Sequence, residues 1–175
     1  MRALGPGSVS SFLKIILDVV YAALWIGVIA VSLLVVAALL FSFNPDLLDD
    51  ASLASGQLAR FGPAMTGGLF AADLYMAGVL VIVGLLRRIF STLTAGDPFH
   101  PDNVRRLRLI GAILAVLELG RYAFYGLAAW LFAGVGQHDK PHIALNTWFS
   151  VLVVFVLAEV FREGARLRRE AELTI

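Results

Sequence analysis

Arg87-Arg-Ile-Phe-Ser-Thr-Leu-Thr-Ala-Gly-Asp-Pro-Phe-His-Pro-Asp-Asn-Val-Arg-Arg-Leu-Arg108 lies between two long apolar runs and holds five of the chain's 14 basic residues. Gly96 is placed to stop one helix, because glycine accepts the left-handed backbone that closes a helix end. Pro98 and Pro101 fix a turn, and Pro101, Asp102 and Asn103 suit the first turn of a second helix. The stretch therefore reads as two helix ends joined by a Gly-Asp-Pro-Phe-His-Pro turn. Its charge makes residues 87–108 the expected cytoplasmic hairpin of a membrane protein.

Composition points the same way. Apolar residues make up 59% of the chain and charged residues only 15%, with a mean hydropathy of +0.85. A soluble domain carries about a quarter charged residues, so this chain has too little polar surface to face water. A bilayer removes that need and requires helical runs of about 20 apolar residues. There are no cysteines, which excludes disulfides, thiolate metal sites and cysteine nucleophiles.

Outward from the hairpin, four apolar runs appear. Val19 to Phe43 has no charge over 25 residues, about 37 Å of helix. A cleaved signal peptide has an apolar core of about 7–15 residues, so this run is expected to be a retained first transmembrane helix. Residues 44–63, opened by Asn44-Pro45-Asp46, read as a short surface helix ending in a Gly-Pro turn. Further spans are expected at 64–86, 109–134 and 143–161, and a charged helical tail at 162–175. Small positions such as Ala23 with Gly27 and Gly111 with Ala115 offer packing surfaces, while Trp130 and Trp148 suit the outer interface. Eleven basic residues fall in the N-terminal lead, the hairpin and the tail, against Arg60 and Lys140 on the other side. The expected fold is all-α: a single membrane domain, an integral membrane four-helix bundle with N and C termini cytoplasmic, multi-pass in the inner (cytoplasmic) membrane.

Two segments carry a resemblance. Gly-Asp-Pro-Phe-His-Pro-Asp-Asn-Val-Arg-Arg-Leu-Arg-Leu-Ile-Gly, residues 96–111, and Ala-Glu-Val-Phe-Arg-Glu-Gly-Ala-Arg-Leu-Arg-Arg-Glu-Ala-Glu-Leu-Thr-Ile, residues 158–175, resemble the bacterial domain-of-unknown-function 2975 family of small membrane proteins. His100 stands where a small capping residue is more usual in that family. The resemblance implies four transmembrane helices, a bacterial cytoplasmic membrane and company with small cytosolic helix-turn-helix regulators. It supplies no activity.

Three ionisable residues fall inside the spans: Asp73, Glu118 and Arg121. Counted from Arg87 and Arg108, Asp73 and Arg121 are 14 and 13 residues in, level at about 20 Å. The expected arrangement is an intramembrane cluster with Arg121 between the two carboxylates. It has two readings. One is structural pairing, since an unpaired charge at mid-membrane costs roughly 3 kcal/mol. The other is a proton or ligand site, since two acids around one arginine favour protonating one of them. Glu159, at the inner edge, is expected to pair with Arg87, Arg88 or Arg105. Arg106, Arg108, Arg162, Arg166, Arg168 and Arg169 complete a basic cytoplasmic surface suited to anionic headgroups or a cytosolic partner. In the tail, Arg166 with Glu170, Arg168 with Glu172 and Glu163 with Arg166 have helix-pair spacing.

No phosphate-binding loop, dinucleotide fingerprint or catalytic motif is present. His100, His138 and His142 lie in turns, so no cofactor and no metal are expected. The hairpin is too short for a helix-turn-helix, which argues against direct contact with nucleic acid. The expected function is non-enzymatic: a regulatory or sensory membrane protein presenting the hairpin and tail to a partner. The alternative is a small transport or proton-coupled component using Asp73, Glu118 and Arg121.

Overall fold

The structure is a computed structural model and describes residues 9–43, 55–131 and 144–173. They form four helices: α1 (Val9–Phe43), α2 (Ser55–Thr94), α3 (Pro101–Leu131) and α4 (Leu145–Leu173). No strand occurs among the described residues. Three helices are long and apolar enough to cross a bilayer: α1 over 12–41, α2 over 64–94 and α4 over 145–171. In α3 the apolar run is broken by Glu118 and Arg121. The helix starting at Asn44 and the polar turn at 137–142 lie outside the described residues.

Two expected boundaries move. The Gly62-Pro63 turn is absent; both residues sit inside α2, where Thr66 donates its hydroxyl to the Gly62 carbonyl at 2.8 Å. Proline removes one backbone donor, but its fixed φ is itself helical, so the helix continues past it. At the other boundary, α1 begins ten residues before Val19 and carries Lys14 and Asp18 on a continuous helix.

Each helix runs antiparallel to its sequence neighbour, in a constant register. For α1 and α2 the matched pairs are Asp18 with Arg87, Tyr21 with Gly84 and Ser32 with Asp73, the numbers of each pair adding to 105. For α2 and α3 they are Thr92 with Asn103 and Gly78 with Leu117, adding to 195. α3 and α4 are matched by Gly111 against Phe155 and by the Ala144 amide, which donates to the Tyr122 hydroxyl at 3.1 Å. No Cα of α1 comes within 8 Å of α3 or α4. The array therefore opens from α2 outward. Of the small positions expected to pack, Gly27 receives the Met76 methyl and Gly111 the Phe155 ring, whereas Ala23 is exposed.

The best-buried apolar cluster sits at the hairpin end. Ile82, Leu85 and Ile89 of α2 meet Leu107 and Ile110 of α3 and Ala158 of α4. Below it, α2 ends as the glycine position predicts. Gly96 has φ 86°, its N–H donates to the Leu93 carbonyl at 3.1 Å, and the Asp97 N–H donates to the Thr92 carbonyl at 3.0 Å. These are the two bonds of a Schellman cap. α3 opens on Pro101, capped by His100: the Asp102 N–H donates to the imidazole Nδ1 at 3.2 Å and the Asn103 N–H to the His100 carbonyl at 2.9 Å. A ring nitrogen thus does the work of the usual small capping oxygen.

Asn103 is the centre of this end, at 0% exposure. Its Nδ2 donates to the Thr92 hydroxyl at 2.7 Å and to the Pro98 carbonyl at 3.1 Å, and its Oδ1 accepts from Arg106 at 3.0 Å. One side chain ties the end of α2, the turn and the start of α3. Removing it leaves a cavity at a fully buried position and breaks three hydrogen bonds to partly buried partners, each worth about 0.5–1.5 kcal/mol. Asn103→Ala is therefore expected to lower the melting temperature in detergent well below that of the parent. Gly96→Ala should cost about 1–2 kcal/mol for the left-handed backbone. Unchanged melting of Asn103→Ala would show that the amide is not the staple.

Candidate functional site

Asp73, Glu118 and Arg121 do not form one cluster. Arg121 grips Glu118 along its own helix, with Nη2 donating to Oε1 at 2.6 Å and Nε to Oε2 at 3.2 Å. Glu118 is 4% exposed, and the guanidinium also lies 5.1 Å from the Tyr122 ring centre. Asp73 instead faces α1, where Ser32 donates its hydroxyl to Oδ2 at 2.9 Å. The other carboxylate oxygen, Oδ1, is buried without a hydrogen-bond partner.

Azimuth separates them. The α2–α3 register puts residue 73 opposite residue 122, so depth is no obstacle. On α2, however, Asp73, Met76, Gly84 and Arg87 make one stripe against α1. Gly78, Ile82, Leu85, Ile89 and Thr92 make another against α3 and α4. Five residues separate Asp73 from Gly78, a turn of about 140° around the axis at 3.6 residues per turn. The sequence held this signal. Asp73 and Arg87 are 14 apart, close to four whole turns, and so share a face. Depth alone does not distinguish α1 from α3 as its neighbour.

The basic residues are also redistributed. Arg87 pairs with Asp18 at 2.5 Å and lies 4.4 Å from the Tyr21 ring centre, so it belongs to α1 rather than to Glu159. Glu159 pairs with Arg162 one turn on and with Arg108 at 3.6 Å, in place of Arg87, Arg88 or Arg105. Arg106 is only partly exposed and donates to the Arg88 carbonyl at 3.3 Å as well as to Asn103. It acts as a brace inside the hairpin and not as free basic surface. Arg166 bridges Glu163 at 2.7 Å and Glu170 at 3.4 Å, as their spacing predicts. Arg168 reaches across to Asp97 in the turn.

That last pair shows what the sequence left out: the tail is docked. Phe99, from the turn, packs on Phe161 with ring centres 5.8 Å apart and sits where a Cβ on Gly164 would stand. The Gly164 notch exists because a side chain there would overlap the Phe99 ring. The Arg105 side chain projects outward. Beside the docked ring, Pro101, Val104 and Ala165 floor a groove of about 380 Å³ rimmed by Arg162, Arg166 and Arg169, with Glu163.

Residues 56–175, from the start of α2 through α4, match the model of a family described as a protein of unknown function, DUF2975. The chain belongs to this family. The match contains the hairpin, the docked tail and the Glu118–Arg121 pair, whereas α1 precedes it. No curated protein and no solved structure matches the chain significantly. For this DUF2975 protein the joined hairpin and tail are therefore the best-defined candidate surface. Among the described residues no group of His, Asp and Glu side chains could hold a metal.

The separation of the charges makes a direct prediction. Asp73→Asn and Arg121→Gln should have additive effects on stability, within about 0.5 kcal/mol. Asp73→Asn with Ser32→Ala should couple, by about 0.6 kcal/mol, the mean for a hydrogen bond between membrane helices. Unfolding of the three single and two double variants in mixed micelles measures both terms.

Proposed function

We propose that the protein is a non-enzymatic regulatory or sensory component of a bacterial inner membrane. In this reading both termini and the hairpin are cytoplasmic, and hairpin and tail together present a basic surface to a cytosolic partner. The observation that carries the reading is the docking of α4 onto the turn. Arg168 with Asp97, Phe99 on Phe161 and the Gly164 notch make two separate charged segments into one shaped unit. A merely topogenic charge run needs no such construction. A rigid surface also loses less conformational freedom on binding than two free ends would.

The groove beside Phe99 suggests the partner's chemistry. Its apolar floor and Arg169, which has no ion pair among the described residues beside the Glu-held Arg162 and Arg166, suit an acidic segment with an apolar face. By family resemblance, the segment belongs to a small helix-turn-helix regulator. Anionic headgroups compete for the same arginines, each such contact being worth about 1 kcal/mol near a membrane surface.

The proton-coupled alternative narrows to Asp73. Glu118 and Arg121 satisfy one another, while the Oδ1 of Asp73 is buried and unbonded. If it holds, flux in proteoliposomes is abolished by Asp73→Asn and survives Arg121→Gln.

Mild detergent extraction is expected to co-purify a soluble partner with the parent chain. Gly164→Leu should release it, because the new side chain expels Phe99 and undocks the tail. Gly120→Ala, at a position with open space around it, should keep it. Extraction that recovers the folded protein with no soluble partner would reject the regulatory reading.

A further inference from the structure

A second groove, of about 740 Å³, runs along α1 and α2 at their hairpin-end halves. Its inner wall is apolar, made by Trp25 and Val28 of α1 and Leu80 and Val81 of α2. All four positions lie within the segments long and apolar enough to cross a bilayer. Its mouth is polar, with Lys14 on one helix and Arg88 and Ser91 on the other. The register that pairs Asp18 with Arg87 sets residue 14 opposite residue 91, so Lys14 and Arg88 flank one opening.

Charge at this mouth is unbalanced. Asp18 also lines the groove, but Arg87 takes its carboxylate at 2.5 Å. Arg87 is held from behind by the Tyr21 ring, which stands edge-on to Trp25 with centres 6.4 Å apart. The local acid is thereby neutralised. Lys14 and Arg88 are both exposed and have no ion pair among the described residues. Two cations are left facing an opening with no counter-charge.

The dimensions fit a lipid of one leaflet. From Lys14 to Val28 is 14 residues, about 21 Å along the helix, against about 40–45 Å for the two leaflets with their headgroup regions. A ligand with its phosphate at the mouth can lay an acyl chain along Trp25, Val28, Leu80 and Val81. We propose that this groove is a binding site for one anionic phospholipid, with Lys14 and Arg88 holding the phosphate and the α1–α2 wall holding an acyl chain. Basic openings between membrane helices are suited to anionic headgroups. A diffuse basic surface would not supply the apolar wall that continues from the charge. The site shares no lining residue with the groove rimmed by Arg162, Arg166 and Arg169, and it uses α1, which lies outside the family match.

Trp25 is a built-in reporter. In a Trp130→Phe, Trp148→Phe background it is the sole tryptophan. Titrating the micellar protein with phosphatidylglycerol brominated on its acyl chains should quench Trp25 saturably, at mole fractions where brominated phosphatidylcholine gives little quenching. Lys14→Gln and Arg88→Gln should each weaken the preference about five-fold, the weight of one cation at an anionic surface. Arg169→Gln, outside the groove, should leave it unchanged. Val81→Trp, made in a chain with Trp25→Phe, fills the wall and should reduce the single bound phosphatidylglycerol seen by native mass spectrometry. Three results would overturn the proposal: equal quenching by both lipids, an equal loss with Arg169→Gln, or a dimer mass with Trp25 shielded from both, which assigns the groove to a second copy.

Discussion

The buried amide of Asn103 holds the hairpin end together, and the rest of the structure takes its register from that end. In a bilayer, apolar side chains gain little by meeting one another, because lipid tails are as apolar as leucine. Apolar packing alone would let α2 slide along α3 by a turn at small cost. Asn103 prevents this by spending both amide protons on partners from two elements, the Thr92 hydroxyl and the Pro98 carbonyl, while Arg106 takes its oxygen. The Schellman cap at Gly96 and the imidazole cap at His100 then fix where each helix stops and starts.

The same logic recurs at the other interfaces. Between α1 and α2, Asp18–Arg87 and Ser32–Asp73 are two polar clasps about 21 Å apart along the helix, each in the one register that satisfies both. Gly27 under Met76 and Gly84 beside Tyr21 add steric keys to the polar ones. Between α3 and α4 the keys are Gly111 against Phe155 at one level and Tyr122 with Ala144 at another. Each interface thus combines a polar bond, which is directional, with a small residue that admits one large neighbour. The division of labour explains why the mid-span charges are dispersed. Glu118 is satisfied within its own helix, leaving the helix interfaces to smaller groups.

Where the chain meets the water, arginines do three different jobs. Arg87 and Arg106 are structural, held by a carboxylate and an aromatic ring in one case and by carbonyl oxygens in the other. Arg168 fastens the tail to the turn. Arg88, Arg105 and Arg169 have no ion pair among the described residues and project outward. A positive-inside count treats all of them alike, because it registers only that each carries charge near a span. Their differences come from what stands opposite each one.

The helical class, the hairpin and its glycine stop were legible in the sequence because they depend on local chemistry. Long uncharged runs must be helical in lipid, and Gly96 and Pro101 act within a few residues of themselves. The depth of Asp73 and Arg121 was legible too, since helical rise converts residue count into height. Which helix the shared face of Asp73 and Arg87 meets, what Glu159 pairs with, and whether the tail touches the turn were decided only by the tertiary structure. Those answers depend on the azimuth of one helix against two neighbours, and on a ring from residue 99 finding the gap at residue 164. Sequence spacing measures along a helix; the partner across the gap is chosen by how the helices are rotated, and packing alone sets that angle.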